Sequence, residues 1–276
     1  MMSQLSDLEL GTLPEILDAL SQFAVKAGHE IMAQRAGGVA VERKADASPV
    51  TAADKAAEDI ILDGLSNQFP TIPVLAEEAA SSGLIPDLGS TFFLVDPLDG
   101  TKEFISDSGE FTVNIALVEN TQSILGVVYA PALGKLYRGA IGVGAEKIIV
   151  TPHGCLEKPV SIAARVPDQA HITAIASRSH RSAATDSFLD EIGAAEVVSA
   201  GSSLKFCLLA EGLADIYPRF GRTMEWDTGA GQAVLEAAGG KVVEYPGGNH
   251  LRYGKEARAY DNPHFIAYGR RNPSAA

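Results

Sequence analysis

Residues 111–150 carry four stretches rich in Val, Ile and Tyr: "FTVNIALVE", "SILGVVYA", "GKLYRGAI" and "AEKIIV". Asn120-Thr121, Pro131 with Gly134, and Gly142 to Gly144 separate them. Short β-rich runs punctuated by turn formers predict an antiparallel meander. Ahead of it, Leu13, Ile16, Leu17, Leu20, Ala24, Ala27 and Ile31 recur at helical spacing. With Pro14 suiting the first turn and Gly37-Gly38 closing it, they predict a helix over residues 13–36. A short strand "VAVERK" follows, and a second helix opens in "SPVTAADKAAEDIILDGL", where Thr51 and Asp54 stand three apart as in a capping box. "IPVLAEE" and "FFLVD" read as strands ending in acid.

After about residue 158 the rhythm changes. "ITAIAS", "AEVVSA", "ADIYP" and "KVVEY" read as strands, with helices predicted over 182–192, 202–212 and 228–238. Such alternation suggests a second sheet with crossover helices. The 276 residues therefore divide into an N-terminal α+β half, 1–155, with an antiparallel sheet, and a C-terminal α/β half, 156–276, with a smaller mixed sheet. A 46% apolar and 21% charged composition is that of an ordinary globular protein. No run approaches the roughly 20 apolar residues that span a bilayer. The N-terminus lacks a basic region ahead of an apolar stretch, and no basic amphipathic segment suits a membrane surface. Cys155 and Cys207 lie far apart without metal-ligand spacing. The expectation is a soluble, reduced, cytoplasmic protein.

Within "FFLVDPLDGTKEF", residues 92–104, two acids follow the strand, Asp96 and Asp99, with Pro97-Leu98 between them. Proline removes a donor and biases the preceding residue toward extended geometry, so Asp96 stays strand-like while the chain turns. Both carboxylates and the Leu98 carbonyl can then face one spot. Two unpaired carboxylates that close repel, whereas a hard divalent cation such as Mg²⁺ takes oxygen ligands of this kind. Gly100 lets a phosphate approach the backbone, and Gly100-Thr101-Lys102 can present N–H groups at a helix start. Glu77 is another acid at a strand tip, and Asp227 stands at a helix start in "MEWDTGAGQAVLEAAGG". Singly these are weak signals: Asp227 alone reads as a plain N-cap, and Asp54 as a helix-start acid.

"PVLAEE", "DPLDGTKEF" and "WDTGAGQAVLEAAGG" together closely resemble the inositol monophosphatase superfamily of Mg²⁺-dependent, lithium-sensitive phosphatases. "EFTVNIALV", "SRSHR" and "GSSLKFCLLAEGLADIYPRFG" resemble its 3′(2′),5′-bisphosphate nucleotidase branch. The resemblance runs from about residue 15 to the C-terminus. It implies the layered αβαβα sandwich shared with fructose-1,6-bisphosphatase. It also implies that Glu77, Asp96 and the Leu98 carbonyl hold one Mg²⁺, while Asp96, Asp99 and Asp227 hold a second. Asp54 and Thr101 match the pair that orients and deprotonates the nucleophile. Glu77, Leu98, Asp99, Gly100, Thr101 and Asp227 would face the scissile end of the substrate. Ser177, His180, Gly201 and Lys205 match the nucleotide contacts.

Charge sharpens that reading. The chain has 22 basic and 35 acidic residues and a formal net charge of −13, which argues against a nucleic-acid polymer as partner. A nucleoside bisphosphate brings about four negative charges, so its distal phosphate needs cations of its own. Arg178, His180, Arg181 and Lys205 offer them, with Arg219 and Arg222 unplaced. The expected activity is hydrolysis of the 3′-phosphate of adenosine 3′,5′-bisphosphate by a monomer or homodimer. An inositol monophosphatase is the nearest alternative, and a non-catalytic nucleotide or Mg²⁺ sensor is the alternative from another class.

Overall fold

The computed structural model describes residues 10–38, 41–43, 49–106, 108–168, 170–177 and 182–270. Helix α1 (Leu13–Gly37) starts on a capping box between Thr12 and Glu15, with Pro14 in its first turn, and buries Ile16, Leu17, Leu20, Ala24, Ala27 and Ile31. A short hairpin of β1 (Val41–Arg43) and β2 (Pro49–Thr51) leads into α2 (Ala52–Gln68). The capping box predicted at Thr51 and Asp54 is present.

The first sheet has seven strands in sequential order: β3 (Val74–Ala76), β4 (Thr91–Asp99), β5 (Thr112–Glu119), β6 (Gln122–Ala130), β7 (Lys135–Ala140), β8 (Gly144–Ile149) and β9 (Val160–Ile162). From β4 onward it is the predicted antiparallel meander. At one edge it departs from that expectation, because β3 runs parallel to β4. Between them α3 (Glu77–Ser81) and residues 82–90 carry the chain back to the same end of the sheet, which is the connection a parallel pair requires.

Strand β4 also runs past Asp96, through Pro97, to Asp99. Its register against β5 shifts between Asp96 and Asp99. The irregularity tolerates a proline that cannot donate to the ladder, and it bends the strand where the acids leave it.

The second sheet is mixed, as expected. Strands β10 (Thr173–Ser177), β11 (Glu196–Ala200) and β12 (Ile216–Arg219) run parallel, and β13 (Lys241–Glu244) and β14 (Phe265–Tyr268) are antiparallel neighbours beyond β12. Helix α5 (Ala183–Glu191) packs against β12. Helices α6 (Leu204–Ala210) and α7 (Gly229–Ala237) pack on each other and reach both sheets.

Strand alternation explains why five layers form. Along β4, Phe93 and Val95 join a core with α1 and α2, whereas Phe92 and Leu94 join a second core with α6, α7 and the second sheet. On the far face of that sheet Ala174, Ala176, Ile216 and Ile266 pack with Leu189 of α5. The result is an αβαβα sandwich. Among the described residues no helix is long and apolar enough to cross a membrane.

Candidate active site

Three carboxylates converge where the first sheet meets the second half of the chain. One oxygen each from Glu77, Asp96 and Asp227 lies within 4.8 Å of the others. Asp96 is 1% exposed, and its Oδ1 accepts from Leu98 N at 3.0 Å. Glu77 opens α3, whose start has no cap from its own sequence. Glu58 of α2 supplies one, accepting from Glu78 N and Ala79 N at 2.8 Å each. Asp227 is not the N-cap that it resembles in isolation. Thr228 occupies that position, and Asp227 Oδ2 accepts instead from Met224 N at 2.8 Å.

Asp99 stands beside this cluster. Its Oδ2 accepts from Ser202 Oγ at 3.0 Å and lies 3.1 Å from Ser203 Oγ, which is also 2.7 Å from the Asp227 carbonyl. Two serines of the second half thus hold an acid of the first against another acid's turn.

The acids crowd one another. Burial, followed by the charges of Glu77, Asp99 and Asp227, pushes the Asp96 carboxyl well above the usual range, and a hydrogen bond with Glu77 adds to this. Asp227 is pushed up by burial, then by Asp99 and Glu77, against the Met224 N–H and Arg219. A divalent cation among such groups reverses that preference and holds them ionised. The donors are all hard oxygens, the set that Mg²⁺ or Ca²⁺ prefers. The residues present fit such an ion.

The predicted water-orienting pair is also assembled. Asp54 is 2% exposed, and its Oδ2 accepts from Thr51 N and Thr51 Oγ1 at 2.7 Å each. Its Oδ1 faces Thr101 Oγ1 at 3.3 Å, and the Leu98 carbonyl lies 3.4 Å from the same hydroxyl. Gly100 precedes α4 (Thr101–Ile105) at φ +90°, a conformation that L side chains rarely adopt.

Glu77, Asp99, Gly100, Thr101 and Asp227 line a cavity of about 290 Å³ that is also lined by Lys205, Arg219 and Arg222. Lys205 is 6% exposed, not a solvated helix residue. Its ammonium donates to the Ser202 carbonyl at 2.5 Å and sits 5.5 Å from the Tyr217 ring centre. Burial lowers its pKa to about 8, an effect that Asp99, Glu103 and Glu110 oppose. Arg219 is also buried; its terminal nitrogen donates to the Arg222 carbonyl at 3.1 Å, while its Nε finds no partner among the described residues. Donors and positive charge therefore face a cavity that already presents acids.

A sequence model of the inositol monophosphatase family matches residues 12–272. The chain belongs to the inositol monophosphatase family. It is 46% identical to the 3′(2′),5′-bisphosphate nucleotidase CysQ of Escherichia coli O157:H7, over 84% of this chain and 92% of that protein. Identity to the nucleotidase of the same name from Buchnera aphidicola is 42%, over 92% and 93%. Among solved structures, CysQ from Bacteroides thetaiotaomicron superposes with a TM-score of 0.77 at 39% identity, covering 94% of this chain and 98% of that one. An inositol monophosphatase from Anabaena gives 0.71 at 28% identity, covering 93% and 91%.

For this member of the inositol monophosphatase family, the structure brings together Asp54, Glu77, Asp96, Leu98, Asp99, Gly100, Thr101 and Asp227, and sets Ser177 and Lys205 in the same cavity lining. Gly201 is absent from that lining. Its N–H donates to Glu110 Oε2 at 2.7 Å, and an added Cβ would stand 2.7 Å from the Glu110 carbonyl oxygen. His180, with Arg178 and Arg181, lies outside the described residues. Glu58, Ser202 and Ser203 escape the sequence reading. Glu58 had a signal, since it stands four residues after Asp54 on one helix face. The serines, inside "GSSLK", had none before Asp99 was placed against them.

Proposed function

We propose that this protein is a Mg²⁺-dependent phosphatase that removes the 3′-phosphate of adenosine 3′,5′-bisphosphate, giving AMP and phosphate. It is a phosphoric monoester hydrolase. The observation that carries the reading is the double lining of one cavity, with carboxylates for metal and buried cations for a phosphate that is not cleaved. The nucleotidase relatives support the same substrate.

Glu77, Asp96 and the Leu98 carbonyl would hold one ion, and Asp96, Asp99 and Asp227 a second. When bound, such ions neutralise charge on the transferred phosphoryl group and make water a better nucleophile at neutral pH. Thr101 Oγ1 would orient the attacking water and take its proton while passing its own to Asp54 Oδ1, so that the hydroxyl is regenerated and the proton ends on Asp54. Thr51 keeps Asp54 in place for this, because it occupies the other carboxylate oxygen with two short bonds. Gly100 leaves the start of α4 open to the phosphate. Lys205, Arg219 and Arg222 neutralise the distal phosphate, and Ser177 contributes a hydroxyl; His180 belongs to the same proposed set.

A phosphate-release panel tests this with adenosine 3′,5′-bisphosphate, inositol 1-phosphate and fructose 1,6-bisphosphate. Turnover of the nucleotide should need Mg²⁺, fall with added lithium and exceed that of the other two. Faster release from inositol 1-phosphate would replace the nucleotidase by an inositol monophosphatase.

A further inference from the structure

Residues 251–262, between β13 and β14, lie against the turn that carries Asp227 and are tied to it along their length. Asn262 N donates to the Thr223 carbonyl at 2.8 Å, and its Nδ2 donates to the Met224 carbonyl at 2.7 Å and lies 3.0 Å from Thr228 Oγ1. Tyr253 Oη donates to Gln232 Oε1 at 2.7 Å and lies 3.3 Å from Thr228 Oγ1. At the centre is Glu225, 0% exposed and two residues before Asp227. Its backbone N donates to the Tyr260 carbonyl at 3.0 Å. Its carboxylate accepts from Gly254 N at 2.7 Å and Lys255 N at 2.8 Å, and pairs with Lys255 Nζ at 2.8 Å.

A fully buried carboxylate is costly, and these donors and the ammonium offset that cost only while the segment stays in place. The burial has a consequence next door. Glu77, Asp96 and Asp99 repel Asp227, and before a cation arrives that repulsion acts to swing its turn away. We propose that Glu225, clamped by Lys255, is a positioning residue that locks the turn of residues 224–227 against this repulsion, so that Asp227 is presented ready for metal. Lys255 has a second effect: it cancels the Glu225 charge, which would otherwise add to the repulsion around Asp227. The inference rests on the assignment of Asp227 to the metal site and goes beyond it, since Glu225 is not among the residues of the cavity lining.

The test is calorimetric titration of the metal-free full chain with MgCl₂, together with its melting temperature and the activity as a function of Mg²⁺ and of nucleotide. Glu225→Gln and Lys255→Met should each weaken Mg²⁺ binding by about 10–100-fold, the range seen when groups that orient metal ligands are lost. Lys255→Arg should restore most of the affinity. In the kinetics the half-saturating Mg²⁺ should rise while KM for nucleotide at saturating Mg²⁺ stays near that of the wild type. Asp227→Asn separates the two claims. If it leaves Mg²⁺ affinity intact, the metal assignment itself fails. If it weakens binding while Glu225→Gln and Lys255→Met stay within twofold of wild type, the positioning role alone fails.

Tyr137→Phe is the stability control, because it cuts the 2.6 Å bond to Glu211 away from this segment. It should lower the melting temperature without changing Mg²⁺ affinity. An equal loss of affinity in Tyr137→Phe would assign the effect to general destabilisation and overturn the proposal. Should Glu225→Gln not fold, the contrast between Lys255→Met and Lys255→Arg decides.

Discussion

The acidic and the cationic linings of the cavity are built by different means. The acids come mainly from the first half: Asp96 and Asp99 leave one irregular strand, Glu77 opens the short helix that precedes it, and Asp227 crosses from the other half. Two of the cations, Lys205 of α6 and Arg219 at the end of β12, are buried by the layers on either side, whereas Arg222 beyond β12 is exposed and pairs with Asp261 at 3.0 Å. Each lining holds like charges that repel in isolation. The acids are tied down by backbone donors and serine hydroxyls, the cations by carbonyls and an aromatic ring. Neither set is neutralised within itself. The lesson is that each lining keeps like charges together by bonds to its own backbone and hydroxyls, which under the proposed function leaves one lining for metal and the other for phosphate.

The comparison breaks most sharply at Asp96. Asp96→Asn removes the carboxylate shared by both proposed ions, and kcat should fall about a thousandfold or more, at roughly 1.4 kcal/mol per decade. Near-normal turnover would end the two-ion assignment. On the other lining, Lys205→Met should lower kcat/KM for the bisphosphate by about 10–100-fold, as expected for a charge-assisted bond of roughly 1.5–3 kcal/mol. Most of that loss should lie in KM.

The same lysine gives a pH signature. Its pKa, lowered by burial to about 8, means that it loses its charge as pH rises through that value, so KM should climb by at most about tenfold between pH 8 and 9. The fold should not weaken with it. The unfolded chain still binds this proton up to the ordinary value of 10.5, so the lysine's contribution to stability rises from pH 8 to 10.5. A flat KM across this range would exclude Lys205 as a phosphate cation. The smallest effect is expected at the junction of the halves. Gly201→Ala forces a Cβ to within 3.0 Å of Glu103 Cγ as well as against the Glu110 carbonyl, and should cost about 1–3 kcal/mol of stability, read as a melting shift of a few degrees.

The two linings were unequally legible in the sequence. "FFLVDPLDGTKEF" showed the acids because one strand delivers Asp96 and Asp99 within four residues, and an apolar run ending in paired carboxylates has few physical explanations. Asp227 and Glu77 acquired meaning only by resemblance, since nothing local says that distant strand tips and turns meet. For Lys205 the charge argument pointed to a phosphate contact, but its burial was not read. The clue lay around it: Leu204, Phe206, Cys207, Leu209 and Ala210 are buried all round α6, so a lysine among them has no exposed face to occupy.

In the fold, the capping box of α2 and the meander were readable from spacing. The parallel pairing of β3 with β4 was not, because strand direction depends on where the connection travels. Strand β14, directly after Pro263-His264, is as long as β12 and β13, but it follows residues 245–264 without an intervening α-helix and so falls outside the strand–helix alternation that revealed the others.

The most direct test compares kcat/KM of the wild-type protein for adenosine 3′,5′-bisphosphate and adenosine 3′-monophosphate at saturating Mg²⁺. The two share the scissile group and differ only in the distal phosphate. A preference of about 10–100-fold or more for the bisphosphate is the result expected if buried cations await that group. Equal efficiency on both would contradict a cavity built for two phosphates.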